Sequence, residues 1–268
     1  MDYKEICFKV QDIARLAGKF IREEWKKISS SDVELKSVSS LVTYVDINVE
    51  NRIVASLKNL IPESGFIAEE GTATTNDEKF KWIVDPLDGT TNYIHGITPY
   101  SISIALMEEN ELVLGVVYEI ASNEMFYAWK GSHAYLNEKI IKPATAVKSE
   151  DTLIGTGFPY YNFEKIEAYI NALRELMKST RGIRRLGSAA VDLCYVAAGR
   201  FDAFFEHALH VWDIAAGAFI IKQAGGKITD FDGGENWLFC GEIIAASEKY
   251  FPEFFRIINQ YLGSKKLE

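Results

Sequence analysis

Cysteine is scarce in this sequence. Cys7, Cys194 and Cys240 stand far apart with no CxxC pair, which argues against a disulfide framework and against a zinc knuckle. They are expected to be small core residues. No run approaches the roughly 18 to 20 continuous apolar residues of a bilayer span. The N-terminus, MDYKEICFKV, scatters acids through an amphipathic pattern where a leader would place a basic segment before an apolar one, so a cytoplasmic chain with no membrane partner is expected. Positive charge is in deficit, with 29 Lys plus Arg against 38 Asp plus Glu and a formal net charge of -9. No basic stripe interrupts this, which disfavours nucleic acid as a partner. An anionic substrate would need local cations to reverse the field. Repeats, low-complexity tracts and Pro-rich linkers are also missing. What is present is ample core material: 48% hydrophobic and 13% aromatic residues over 268 positions, enough for one large domain or two tightly fused ones.

Ile6, Val10, Ile13, Leu16, Phe20 and Ile21 recur at helical spacing and predict a one-faced helix to Trp25. The Ser-rich stretch ISSSDVELKSVSS reads as a mobile loop or loose hairpin. A second helix is expected from Asp46 to Leu60, stopped by Pro62. From Phe66 to Ile141 the period changes to strands (FIAEE, KWIVD, SISIALM, LVLGVVYEI, EMFYAWK, AYLN) joined by short polar turns, a pattern that predicts an antiparallel meander. Beyond Pro143 come helices FEKIEAYINALRELMK and GSAAVDLCYVAAG, strand FDAFFE, helix WDIAAGAFIIKQAGG, strands KITDF and IIAAS, and a last helix over 251–261. The halves are expected to pack as layers around shared sheets, an α+β sandwich with two sheets.

The chemistry concentrates where apolar segments meet acids. In WIVDPLDGTTNYIHG, Asp85 and Asp88 bracket Pro86-Leu87 at a strand end. Burying such carboxylates costs several kcal/mol unless something positive compensates them. Pro86 stiffens the turn, so both carboxylates can face one side with the Leu87 carbonyl between them. An all-oxygen set suits hard cations such as Mg²⁺ or Mn²⁺. Gly89 permits close backbone approach, and Thr90, Thr91 and Asn92 can open a short helix whose N–H groups face a phosphate. The plainer alternative is an Asx turn with Asp85 as a cap. Glu69 and Glu70 follow strand FIAEE, and would join the same cleft if the two strands are neighbours; alone they read as a solvated edge. Asp213 opens an apolar helix, where an acid is commonly a cap that complements the helix dipole.

Taken together, WIVDPLDGTTNYIHG, VWDIAAGAFIIKQAGG and GFIAEE closely resemble the inositol monophosphatase family, over nearly the whole chain. The resemblance implies a layered α/β/α/β/α sandwich, the sugar-phosphatase fold, as one domain over 1–268: an N-terminal α+β half, 1–142, carrying the metal-site strands, and a C-terminal α/β half, 143–268. It implies a homodimer and Mg²⁺-dependent hydrolysis of a small phosphomonoester. Residue by residue, Glu69, Asp85 and the Leu87 carbonyl would hold one magnesium; Asp85, Asp88 and Asp213 a second; Glu69 would share a third, weaker ion, and Mn²⁺ could substitute. Gly89 and Thr90 would offer N–H groups to phosphate, with Asp88 beside them. Thr90 with Asp46 behind it, or Glu69 directly, would orient the attacking water. Gly187, Ser188, Ala189 and Glu206 match polyol-contacting positions, and Lys36 a loop lysine that folds over the site. Ser40 departs from the family pattern, which carries Asp or Asn before LVT in many members.

Clustered carboxylates repel a phosphate dianion, so the site is coherent only with two or three divalent ions, which activate the water for direct transfer without a protein nucleophile. LDGTT also resembles the haloacid-dehalogenase phosphatases superficially, but the position two before Asp88 is Pro86, which cannot attack. The leading expectation is hydrolysis of myo-inositol monophosphate. The same chemistry on fructose-1,6-bisphosphate, histidinol phosphate or a 3′-phosphonucleotide, and a non-catalytic regulatory binding protein, are the alternatives. Some accessory residues stay open. His210 is a hydrogen-bonded supporting or core residue, or a metal ligand, Trp212 a packing support for Asp213, Glu206 a substrate contact or a salt-bridged surface acid. Arg184 and Arg185 bind a second phosphate or form a solvated or interface pair.

Overall fold

The first helix, α1 (Tyr3–Trp25), buries Ile6, Val10, Ala14, Ala17 and Ile21 on one face, as the three-to-four spacing requires. The computed structural model describes residues 1–25, 27, 33–37, 40–73, 77–159 and 162–264, with the backbone alone for 33–37 and 40–43. The Ser-rich stretch contains a loose hairpin, β1 (Val33–Ser37) and β2 (Ser40–Thr43), paired antiparallel. The side chains of Lys36 and Ser40 lie outside the described residues. Helix α2 (Tyr44–Leu60) ends just before Pro62.

Seven strands follow in one sheet: β3 (Gly65–Ala68), β4 (Phe80–Asp88), β5 (Ser101–Glu108), β6 (Glu111–Glu119), β7 (Glu124–Trp129), β8 (Tyr135–Leu136) and β9 (Lys139–Ile140), in sequence order. Helix α3 (Thr90–His95) interrupts after β4. The expected meander holds from β4 onward, but β3 pairs parallel with β4. The connection over 69–79 is too long for a tight hairpin turn, and lets the chain cross back to start β4 at the same edge as β3. The second sheet has the order β11-β10-β12-β14-β13, from β10 (Leu153–Thr156), β11 (Gly182–Arg184), β12 (Ala203–His207), β13 (Gly226–Thr229) and β14 (Glu242–Ser247). Strands β10 and β11 were not expected: with four and three residues they show no alternation to read.

The helices α4 (Ile166–Ser179), α5 (Ala189–Ala197), α6 (Val211–Ala224) and α7 (Phe251–Leu262) complete the layers. One core lies between α1, α2 and the large sheet, with Val10, Ile53, Trp82 and Val116. A second lies between the sheets and holds α5 and α6, with Leu193, Ile214 and Phe204. The third seats α4 and α7 on the outer face of the small sheet. The chain is therefore an α/β/α/β/α sandwich. Because α6 is covered on both sides, Ile214 to Ile221 are all buried, which explains its nearly uniform apolarity. Cys7 and Cys194 are core residues as expected, whereas Cys240 is exposed, on the turn before β14. Among the described residues no helix is long and apolar enough to cross a membrane.

Candidate active site

The parallel pairing of β3 with β4 builds the first part of the site. Ala68 lies opposite Val84, and the Glu69 N–H donates to the Val84 carbonyl at 3.2 Å. Glu69 and Asp85 therefore leave their strands side by side at one edge; an antiparallel pair would have sent them to opposite ends. A β-bulge adds the next ligand. Asp85 pairs with Ser103 and Asp88 with Ser101, so three steps on β4 match two on β5. Residues three apart on a regular strand point to opposite faces, but the extra residue at Pro86-Leu87 turns Asp85 and Asp88 to the same side. Pro86 has no N–H to lose from the ladder there. The Asx geometry anticipated as the plainer alternative is also present, since Asp85 accepts the Leu87 N–H at 2.9 Å.

Gly89 then adopts φ 89°, a left-handed turn that a side chain would strain, and a Cβ would meet the Pro99 carbonyl at 3.0 Å. This turn opens α3, where the Thr90 hydroxyl lies within reach of both Asp46 Oδ1 (3.0 Å) and the Leu87 carbonyl (2.9 Å). Asn92 donates to the Pro99 and Leu186 carbonyls, both at 2.8 Å, and so ties the α3 turn to the segment that carries Gly187. Ser188 N-caps α5 and donates to Asp88 Oδ2 at 2.6 Å; the Ala190 N–H reaches the same oxygen at 2.9 Å. The hydroxyl of Ser188 is thus turned toward Asp88. Asp213 sits at the third position of α6 and accepts the His210 N–H at 2.6 Å, so it serves as the expected cap while also facing the cavity.

These elements enclose a cavity of about 430 Å³. Its wall includes Glu69, Asp85, Leu87, Asp88, Gly89, Thr90, Gly187, Ser188, Ala189, Glu206 and Asp213. Every anticipated site residue whose side chain is described is therefore at one place, except Asp46, which stands behind Thr90; the side chain of Lys36 lies outside the described residues. Glu206 is 7% exposed, which removes the surface-acid alternative. Its carboxylate occupies the space that a Cβ on Gly157 would take. Arg185 lines the cavity while Arg184 points outward from β11, so the pair divides. His210 is exposed and stacks on Trp212 with ring centroids 4.6 Å apart. It is not a core residue, because its helix-capping position lies at the rim. Asp192 and Gly157 escaped the sequence reading, as did the tie that Asn92 makes to the Gly187 segment. Asp192 had one available signal, an acid inside an otherwise apolar helix.

Burial and mutual repulsion act together on the acids that line the cavity. Burial pushes Asp85 well above the usual carboxylate range, reinforced by Glu69, Asp88 and Asp213. Burial first, then Asp88 and Glu69, does the same to Asp213. Asp88 is pushed up to about 6 by burial, against hydrogen bonds from Ser188 and the α5 N–H groups and against Arg185. Glu206 and Asp192 are raised by burial and by neighbouring acids. One buried oxygen, Asp192 Oδ1, has no partner. Among the described residues no three side chains of His, Cys, Asp or Glu are drawn together tightly enough to hold an ion as they stand. The donor chemistry nevertheless fits hard divalent cations: oxygen ligands only, an excess of carboxylates and a free carbonyl lone pair at Leu87.

Comparison with known proteins agrees with this architecture. Residues 2–262 match the model of the inositol monophosphatase family. The chain is 40% identical over 253 residues to an inositol-1-monophosphatase of Mesorhizobium japonicum, covering 94% of this chain and 95% of that protein. It is 37% identical over 237 residues to the Nus factor SuhB of Escherichia coli, covering 88% and 89%. The solved inositol monophosphatase of Thermotoga maritima superposes with a TM-score of 0.87 at 34% identity, over 98% of each chain. A five-layer fold, acids gathered by a bulged strand and a family match over almost every residue lead to one assignment: this chain belongs to the inositol monophosphatase family.

Proposed function

We propose that the protein is a Mg²⁺-dependent phosphomonoesterase acting on a phosphorylated polyol, with myo-inositol monophosphate as the first candidate substrate. The observation that carries this reading is the gathering of Glu69, Asp85, Asp88 and Asp213 around one cavity beside the Gly89-Thr90 turn. In this reading Glu69, Asp85 and the Leu87 carbonyl would hold one ion, and Asp85, Asp88 and Asp213 would hold a second. When bound, such ions supply the positive charge that admits a phosphate dianion and favours ionisation of water near neutral pH. The chain's own groups do the rest. Gly89 and Thr90 present N–H groups to the phosphate. Thr90 passes its hydroxyl proton toward Asp46 and turns a lone pair to the attacking water, or Glu69 takes that role. The water oxygen bonds to phosphorus as the ester P–O bond breaks; the water gives up one proton, to the Glu69 carboxylate or to solvent, and the released alkoxide takes up one proton from the same source, so none is gained or lost overall. Glu206, Gly187, Ser188 and Ala189 form the polyol end of the cavity. The site draws on both halves, 1–142 and 143–268, and the working unit is read as a cytoplasmic homodimer.

The test is phosphate release from myo-inositol 1-phosphate, fructose-1,6-bisphosphate, histidinol phosphate and adenosine 3′,5′-bisphosphate, with and without Mg²⁺, beside Asp88→Asn. Mg²⁺-dependent turnover that favours the inositol ester and vanishes in the variant supports the reading. Preference for another ester keeps the chemistry and moves the substrate. Absence of turnover on all four, in folded protein, refutes it.

A second reading rests on the relatives named Nus factor SuhB: a binding role on the same scaffold. Asp88→Asn would abolish hydrolysis and leave such binding intact, so the two roles separate in one variant.

A further inference from the structure

Glu50 on α2 is fully buried. Its carboxylate receives two backbone N–H groups from one turn, Glu70 at 2.7 Å and Thr72 at 2.9 Å. A buried carboxylate is costly unless such charge-assisted bonds satisfy it. The two oxygens therefore act as a pincer on the turn that follows β3. That turn carries Glu69, whose own N–H is fixed to Val84 on the opposite side and whose carboxyl is hydrogen-bonded to Asp85.

One helical turn earlier on the same face, Asp46 is also buried and accepts from Thr90. Residues four apart on a helix stand about 6 Å apart along its axis and face the same way. A single rigid helix thus grips two arms of the site, one with each acid: the Glu69 turn through Glu50, and the α3 turn through Asp46.

We propose that Glu50 is a positioning residue: it sets the Glu69 turn against Asp85, so that α2 fixes the spacing between the divalent-cation ligands and the Thr90 arm. This rests on the metal-site reading above. Loss of one acceptor frees an N–H and lets Glu69 swing, which weakens ion capture before it affects the chemical step.

The experiment is titration of the protein with Mn²⁺, following the free ion by electron paramagnetic resonance, for wild type, Glu50→Gln, Glu50→Asp and Asp202→Asn. Asp202 is a matched control. It is a buried carboxylate that accepts the Leu153 N–H at 2.8 Å, at the far end of β12 from Glu206. Glu50→Gln is expected to weaken Mn²⁺ binding by about tenfold or more, the scale seen when supports of metal ligands are removed. Activity at low Mg²⁺ should fall in parallel and recover at high Mg²⁺. Glu50→Asp, one methylene shorter with its charge kept, should give an intermediate loss and serves if the Gln variant does not fold. Asp202→Asn should bind as wild type does. Equal Mn²⁺ affinity in wild type and the Glu50 variants overturns this inference alone, as does an equal loss in Asp202→Asn. A wild-type protein that binds no Mn²⁺ overturns the metal-site reading and this inference with it.

Discussion

Replacing Gly157 by alanine tests whether Glu206 shapes the polyol end of the cavity. An added Cβ would lie 1.9 Å from Glu206 Oε1, 2.0 Å from Cδ and 2.2 Å from Oε2. Atoms do not approach so closely, so the carboxylate must withdraw by about 1.5 Å or more to restore normal contact. The backbone of Gly157 need not move, because the obstacle is the far end of a side chain. Glu206 has little room to yield, since it is almost wholly enclosed. Small-to-large changes in such surroundings cost about 1 to 3 kcal/mol of stability, and a 1 Å misplacement of a substrate-orienting group costs as much as about a hundredfold in rate. Gly157→Ala is therefore expected to fold, to keep divalent-ion binding, and to lose about ten- to a hundredfold in kcat/KM on the inositol ester. A flat aryl phosphate, which offers no hydroxyls to Glu206, should lose far less. Steady-state kinetics on both substrates is the assay. An unchanged kcat/KM on the polyol ester, or an equal loss on both esters, refutes the assignment of Glu206 to polyol recognition.

Ser188→Ala removes the cap of α5 and the hydroxyl donated to Asp88. A loss of about 1 to 3 kcal/mol in denaturant unfolding is expected, and a loss below about 0.5 kcal/mol contradicts the proposed double role. His207 is buried with Nε2 unpartnered; burial and then Lys165 hold its pKa below the ordinary value. As pH falls below about 6.5 the unfolded chain takes the proton first, so stability present above that pH is lost on acidification. His207→Phe should flatten the fall in Tm between about pH 7.5 and 5.5 relative to wild type, and an unchanged slope refutes this. Chelation should lower the Tm: an ion at a hundred times its Kd adds about 2.7 kcal/mol, or roughly 5 to 10 °C for a chain of this size. A Tm indifferent to EDTA and to restored Mg²⁺ counts against the metal site.

The parts of this molecule that were legible in its sequence are those whose signal is local. The helix period over Ile6 to Ile21, the change of period at Phe66 and the apolar α6 pattern all correspond to elements. Glu69, Asp85 and Asp88 were visible because acids that follow apolar strands need a reason. What could not be seen is whatever depends on how strands meet. Nothing in residues 69–79 announces that β3 runs parallel to β4, yet that direction alone brings Glu69 beside Asp85. The bulge that turns Asp88 to the same side is defined only against Ser101 and Ser103 on the next strand.

The same logic explains the missed acids and glycine. In the pattern of α2, Glu50 has no signal of its own, because a helix with charges between its apolar positions is usually one-faced, and Asp46 entered only through the family resemblance. They are buried because the turns at Glu69–Thr72 and at Thr90 fold onto that face. Asp192 reads as an ordinary acid in the first turn of α5, where it complements the helix dipole. It belongs to the cavity only once β12 brings Glu206 to it. Gly157 carries no sequence signal at all, since its role is the empty space that Glu206 fills from 49 residues away. A pattern along the chain reports which face of an element is apolar; whether a polar residue on the other face meets water or a second loop is decided by topology. Buried acids such as Glu50 and Asp192 are therefore where the chain's chemistry extends beyond its motifs.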